Sequence, residues 1–163
     1  MQKADQSLTE IKNQILAKIT SNQNIIKSLI IEDEDFLNTT PTQEQEIILN
    51  DPDLLIRKQI MLTKNITAKT NKDMPYITSA FGKFKKHSYN YQNGLVYFYV
   101  VIPNTWEKTN YGIRYDFICD ELDNLFSSIG IGKFEFYERG DMSVNENYLG
   151  HYISFDILDF GRW

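Results

Sequence analysis

Gly94-Leu-Val-Tyr-Phe-Tyr-Val-Val-Ile102 carries no charge, is mostly β-branched or aromatic, and stops at Pro103. Such a run predicts a buried strand at the centre of a sheet, because branched and aromatic side chains pack well on a pleated surface and proline cannot continue the ladder.

Upstream of it, Pro75-Tyr-Ile-Thr-Ser-Ala-Phe81 reads as a neighbouring strand, and the basic segment Lys83 to Gly94 leads through an Asn93-Gly94 turn into the central one. Downstream, Asn104 to Asn110 is a polar turn. Residues 112–129 follow as an amphipathic helix, with Ile118, Leu122, Leu125, Phe126 and Ile129 on one stripe and Gly130 as its stop. Lys133 to Glu138 and Tyr148 to Phe160 alternate as strands. In the second of these, Ile153, Phe155 and Ile157 take one face and Tyr152, Ser154, Asp156 and Leu158 the other. The expected fold is α+β: a ββαββ antiparallel sheet with one main covering helix and a more polar second face, plus an N-terminal helical extension.

That extension opens with Ser7-Leu-Thr-Glu10, a capping-box pattern, and Leu8, Ile11, Ile15 and Ile19 then recur at helical spacing to about residue 20. Ile25, Ile26, Leu29 and Ile30 form a second apolar patch before the acidic run Glu32-Asp-Glu-Asp35, which reads as a solvated turn. It lacks the glycine that a Ca²⁺ loop needs. Thr40-Pro-Thr-Gln43 predicts a cap and a first-turn proline for a short helix through Ile47, Ile48 and Leu49; a loop tucked against the core fits equally. Leu54 to Leu62 suits helix and strand about equally on period, with a lean to extended chain. Residues 63–75 are polar, lysine-rich and nearly devoid of large apolar groups, which predicts an exposed loop. The domain organisation expected is an N-terminal helical extension at 1–53 and an α+β core domain at 54–163.

At 163 residues the chain has room for one ordinary core, and most of its Tyr and Phe residues and both Trp residues lie beyond Tyr76, which places that core C-terminally. The single cysteine, Cys119, excludes an intrachain disulfide framework and a Cys-rich zinc site, and reads as a small apolar helix residue in an intracellular protein. No stretch approaches the ~18–20 apolar residues of a membrane span, and the N-terminus lacks a signal-peptide layout. A soluble protein with no membrane partner is expected.

The net charge of −5 conceals a split. Residues 1–53 carry four lysines against ten acids and residues 91–163 five bases against eleven acids, whereas residues 54–90 carry eight bases against one acid. Three readings of the basic middle stand: lysine-rich solvated loops, an electrostatic complement to the acidic flank of an identical neighbour, as in a head-to-tail ring, or contact with packaged or passing DNA. Lys64, Lys69, Lys72, Lys83, Lys85 and Lys86 are the candidate residues facing a neighbouring subunit or DNA.

Catalytic patterns are missing. His87 and His151 are the only histidines, and a metal site at His151 would need partners such as Asp141 or Glu146; a hydrogen-bonded structural histidine is the plainer reading. No Ser or Cys sits in a nucleophile elbow. Asp51-Pro-Asp53 resembles the start of a metal-dependent nuclease motif, but the acid-x-lysine on a following strand is absent. Gly130-Ile-Gly132 follows a helix and reads as its stop rather than a phosphate cradle. Aromatics among lysines from Phe81 to Tyr89 offer stacking for single-stranded nucleic acid, against the simpler reading of an amphipathic hairpin. The expectation is no enzyme and no cofactor.

In order and spacing, Met74-Pro-Tyr-Ile77, the strand Leu95–Ile102, Thr109-Asn-Tyr-Gly-Ile-Arg-Tyr-Asp116 leading into Ile118-Cys-Asp-Glu-Leu-Asp-Asn-Leu-Phe126, and Tyr148-Leu-Gly-His-Tyr-Ile-Ser-Phe-Asp-Ile157 resemble the small neck and tail-completion proteins of tailed bacteriophages. These include tail terminators and head-tail joining proteins. The resemblance covers about half the chain and has no catalytic residues to carry over. It implies a structural virion protein at the head-tail junction, assembled in the host cytoplasm as a ring of identical subunits. Its neighbours would be portal, adaptor or tail-tube proteins, with DNA passing through the lumen. The longer N-terminal region departs from a minimal tail-terminator plan and suggests an arm clasping an adjacent protein. The alternative is a non-catalytic nucleic-acid or protein binding module using residues 83–91.

Overall fold

The computed structural model describes residues 7–63, 73–86, 91–127 and 133–161. The central strand is β2 (Tyr91–Pro103), which pairs with β1 (Tyr76–Lys86) on one side and β6 (Tyr148–Gly161) on the other. With β5 (Lys133–Asn145) outside β6, the sheet order is β1-β2-β6-β5, every pairing antiparallel. The ββαββ expectation is met. Helix α4 (Arg114–Ser127) covers one face: its Ile118, Cys119, Leu122 and Phe126 bury against Val96, Phe98, Val100, Ile153, Phe155 and Ile157. Its N-terminus follows a two-strand hairpin, β3 (Lys108–Thr109) and β4 (Gly112–Ile113), where a helix is expected from residue 112. Gly112 sits at φ +95, a conformation open to glycine, and lets the chain turn. The predicted stop at Gly130 lies outside the described residues.

Three helices form a second layer. Ser7 caps α1 (Leu8–Ser21) through the expected box: its hydroxyl accepts from the Glu10 N–H while the Glu10 carboxylate accepts from its own at 2.8 Å. Asn22 ends α1 and caps α2 (Gln23–Ile30), its side chain accepting from the Ile25 N–H at 3.0 Å. Helix α3 (Gln43–Asn50) starts two residues later than its threonine-proline signal suggests. Thr42 is the cap rather than Thr40, because Gln45 stands three residues on and can reach back to the Thr42 N–H at 2.9 Å. Ile11, Ile15, Ile19, Ile25, Ile26 and Leu29 join the same buried cluster as the sheet and α4. The aromatic half of the core is C-terminal as expected, and these helices supply an aliphatic half.

The carbonyls at the end of α2 show how the layers are tied. A helix leaves its last four carbonyls without internal donors. Here Lys27 O accepts from the Ile31 N–H, Ser28 O from the Arg114 guanidinium at 2.9 Å, Leu29 O from the Gln59 amide at 2.7 Å and Ile30 O from the Gln45 amide at 3.2 Å. Side chains from three distant segments thus close one helix end. Arg114 is fully buried and uses all five N–H donors: Nε to Trp106 O, one terminal nitrogen to Ser28 O and Ile31 O, the other to Glu32 O and Asp33 O. Burial pulls its pKa down from 12.5 to about 10, opposed by nearby Glu32 and Asp33, so it remains charged at neutral pH. The acidic run exposes the carboxylates of Glu32, Asp33 and Glu34 as a solvated turn should, but its carbonyls hold this arginine.

Two sequence expectations give way. Residues 52–55 form a 3₁₀ turn, and extended chain begins only near Gln59, where Ile77 N donates to Gln59 O and Met61 N to Ile77 O along the outer edge of β1. Asn93-Gly94 is not the hairpin turn; it lies within β2, opposite a bulge formed by Lys83 and Phe84. The Phe84 ring occupies the side-chain position of Gly94, 2.4 Å from where a Cβ would stand, so a larger residue there would have to displace the ring.

Candidate functional site

The bulge in β1 determines what its outer end presents. Lys83 takes φ +55, two residues oppose one, and the chain emerges with Lys83, Phe84, Lys85 and Lys86 all exposed. Phe84 is 37% exposed in the middle of three lysines. Three of the six lysines singled out by sequence are thus brought together; Lys64, Lys69 and Lys72, with most of the polar loop 63–75, lie outside the described residues.

The opposite edge has the reverse character. Along β5, Glu135, Phe136, Tyr137 and Glu138 are exposed, and Tyr137 is the extra residue of a second bulge between Phe136 and Glu138. Both aromatics are 49% exposed. These residues read as a strand from the sequence, but charge counts do not reveal strand order and so do not mark the strand as an edge.

The same bulge shifts the alternation, so Arg139 and Asp141 pair with Ile153 and His151. Arg139 Nε donates to His151 Nε2 at 3.2 Å, and its terminal nitrogens reach Asp120 at 2.7 Å and Asp116 at 3.1 Å on α4. With Nε2 accepting, Nδ1 of a neutral imidazole carries the proton and donates to Asp141 at 2.9 Å. Tyr115 stacks on the ring with centroids 5.1 Å apart. Every polar atom of the imidazole is occupied, the arrangement of a structural histidine. Since the Arg139 ion pairs are partly solvated, Arg139→Ala should cost only about 1 kcal/mol or less in chemical denaturation.

Beside this network an open cleft of about 540 Å³ runs along Tyr115, Asp141, Val144, Glu146 and Leu149. Among the described residues no three His, Cys, Asp or Glu side chains converge as a metal site. On the uncovered face of the sheet Tyr97 stacks on Tyr99 at 6.1 Å and lies 6.3 Å from Tyr152. Burial, with Tyr97 and Tyr152 adding to it, pushes the Tyr99 phenol up.

Cys119 has no nucleophilic character. Burial pushes its thiol up to about 12, with Asp116 and Asp120 adding and Arg139 opposing. Thiol reagents at pH 8 should therefore label the protein only after denaturation. Burial likewise raises Tyr76 to about 12. Both folded pKa values lie above their unfolded ones, so the stability these groups contribute is complete below about pH 9 and falls as pH rises toward 12. Urea midpoints that hold steady from pH 7 to 9 and decline above that range are expected.

A family model, YomW, matches residues 22–157, from the Asn22 cap through most of β6. The chain belongs to the YomW family. This is a phage-derived family of the Bacillus phage SPBc2 type, and the matched span takes in α2, α3, the whole of α4 and both sheet edges described above. No curated protein matches the chain. None of the described helices of this YomW-family protein is long and apolar enough to cross a membrane.

Proposed function

We propose that this YomW-family chain is a structural, non-enzymatic protein of the phage particle, a subunit of an oligomeric ring at the head-tail junction of the tail-terminator or head-tail-connector type. One observation carries the reading: the two outer edges of a single sheet bear opposite charge, lysines at the end of β1 and glutamates on β5. A subunit with unlike edges joins to copies of itself head to tail, and such contacts form a ring when the rotation between successive copies closes. Phage derivation of the family supplies the setting. Portal, adaptor or tail-tube proteins would lie above and below, and any lysines turned toward a lumen would meet DNA.

The test is whether the protein copurifies with intact particles. Its presence in purified virions at a fixed stoichiometry supports the reading, and its absence sinks it. Phe84 among exposed lysines also favours a second reading, a module that stacks and neutralises single-stranded nucleic acid. A stable monomer that retains oligonucleotide at low salt and releases it as salt rises would select that one.

A further inference from the structure

His151 is the one histidine among the described residues, and it lies where β6, β5 and α4 meet. Its side chain is only 10% exposed, so its partners are those the fold supplies. Arg139 donates to Nε2, Nδ1 donates to Asp141, and Tyr115 of α4 lies flat on the imidazole face. This network uses the imidazole as acceptor and donor at once, which requires its neutral form.

We propose that His151 is a proton-operated latch, in which uptake of a proton from solvent at Nε2 releases Arg139 from the imidazole and leaves it held by α4 alone. A protonated imidazole is a donor at both nitrogens. Its Nε2–H would face the Arg139 Nε–H, setting two donors and two positive charges against each other where one bond of 3.2 Å stood. Arg139 has an alternative hold, because Asp120 at 2.7 Å and Asp116 at 3.1 Å engage its terminal nitrogens independently of the imidazole. Asp141 keeps its bond to Nδ1 and gains a charged donor. One contact is therefore lost and another strengthened, and the surrounding packing is retained.

The charged and titratable groups around the latch are Tyr115, Asp116, Cys119 and Asp120 on α4, Arg139 and Asp141 on β5, and Glu107 ahead of α4. On its other side His151 pairs with Val100 of β2, which carries no charge. Burial holds the Cys119 thiol protonated, up to about 12, and raises the Tyr115 phenol, so neither competes for the proton. Histidine is the side chain whose charge ordinarily changes between pH 5 and 8. Tyr115 and Asp141 also wall the open cleft, so the same proton changes the charge behind that wall. The latch does not depend on the oligomeric-ring reading.

Nuclear magnetic resonance of the ¹⁵N-labelled full chain from pH 8 to pH 5 reads both partners. At pH 8 the imidazole should show an unprotonated, accepting Nε2 and a protonated Nδ1. As the pH falls, Nε2 should gain its proton and the Arg139 Nε–H signal should move with the same midpoint. Protection of that N–H from exchange, relative to a free arginine side chain at the same pH, should fall by about fivefold or more. In His151→Gln, checked by circular dichroism for a native fold, the amide keeps a donor and an acceptor but takes up no proton, and the Arg139 signal should stay fixed across the range. An Arg139 signal that stays still while the parent imidazole titrates overturns the proposal, with or without the glutamine variant. So does one that moves equally in that variant, or an imidazole that stays neutral down to pH 5 or until the chain unfolds.

Discussion

Replacing Arg114 with methionine should lower unfolding free energy by about 3–5 kcal/mol, a large share of the roughly 5–15 kcal/mol that holds a domain together. Methionine keeps an unbranched apolar stem beside the Phe36 and Trp106 rings, which lie 4.7 and 5.0 Å from the guanidinium carbon. What it removes is donors. Trp106 O, Ser28 O and Ile31 O would then lie buried without the side chain that serves them, and each such acceptor costs about 1–3 kcal/mol, moderated by relief of burying a charge. The positive group also faces the negative end of the α2 dipole, which adds to the loss. Arg114→Lys discriminates the causes. Lysine keeps the charge but offers three donors from a single nitrogen, unable to span carbonyls on the hairpin side and on α2 together, so it should recover less than half of the loss. Urea denaturation of the two variants decides: a lysine variant as stable as the parent would mean that charge alone matters and that the five-bond geometry does not.

The arginine illustrates what the sequence makes legible. Its partners are backbone carbonyls, which every residue has, and four of the five lie about eighty positions away in the chain. No periodicity or motif marks such a contact. The sheet was legible because its signal is local: β-branched and aromatic residues at Leu95–Ile102 and the alternation of Ile153, Phe155 and Ile157 follow from what each face of a strand must bury. Asn93-Gly94 misled for a physical reason. The pair suits a two-residue turn, but the same lack of a Cβ also suits a bulge onto which another side chain folds, and sequence alone cannot separate the two uses of glycine. At the candidate site the lysines were legible as a count, and their opposition to Glu135 and Glu138 was not, since it depends on β5 and β1 being the outer strands.

Phe155→Ala should be the costliest substitution in the sheet, about 3–5 kcal/mol. Its ring is fully buried on β6 and meets Phe98, Phe126, Phe134 and Phe136 at centroid distances from 5.8 to 6.4 Å, so truncation opens a cavity at the point where strand and helix aromatics converge. Rigid ring walls collapse poorly, which places the cost toward the upper part of that range; Phe155→Leu, which fills much of the space, should recover more than half. Phe136 separates core from surface. It shares an edge-to-face contact with Phe155 yet stands 49% exposed on the β5 edge, so Phe136→Ala should cost about 1 kcal/mol or less in denaturation. Its larger effect should be on self-association, because the ring it removes is the apolar centre between two glutamates. Thermal denaturation and sedimentation measured on both variants therefore give opposite rankings if the exposed aromatics of β5 serve assembly. A Phe136→Ala protein that associates like the parent would assign that ring to packing alone, as an outward extension of the cluster built on Phe155.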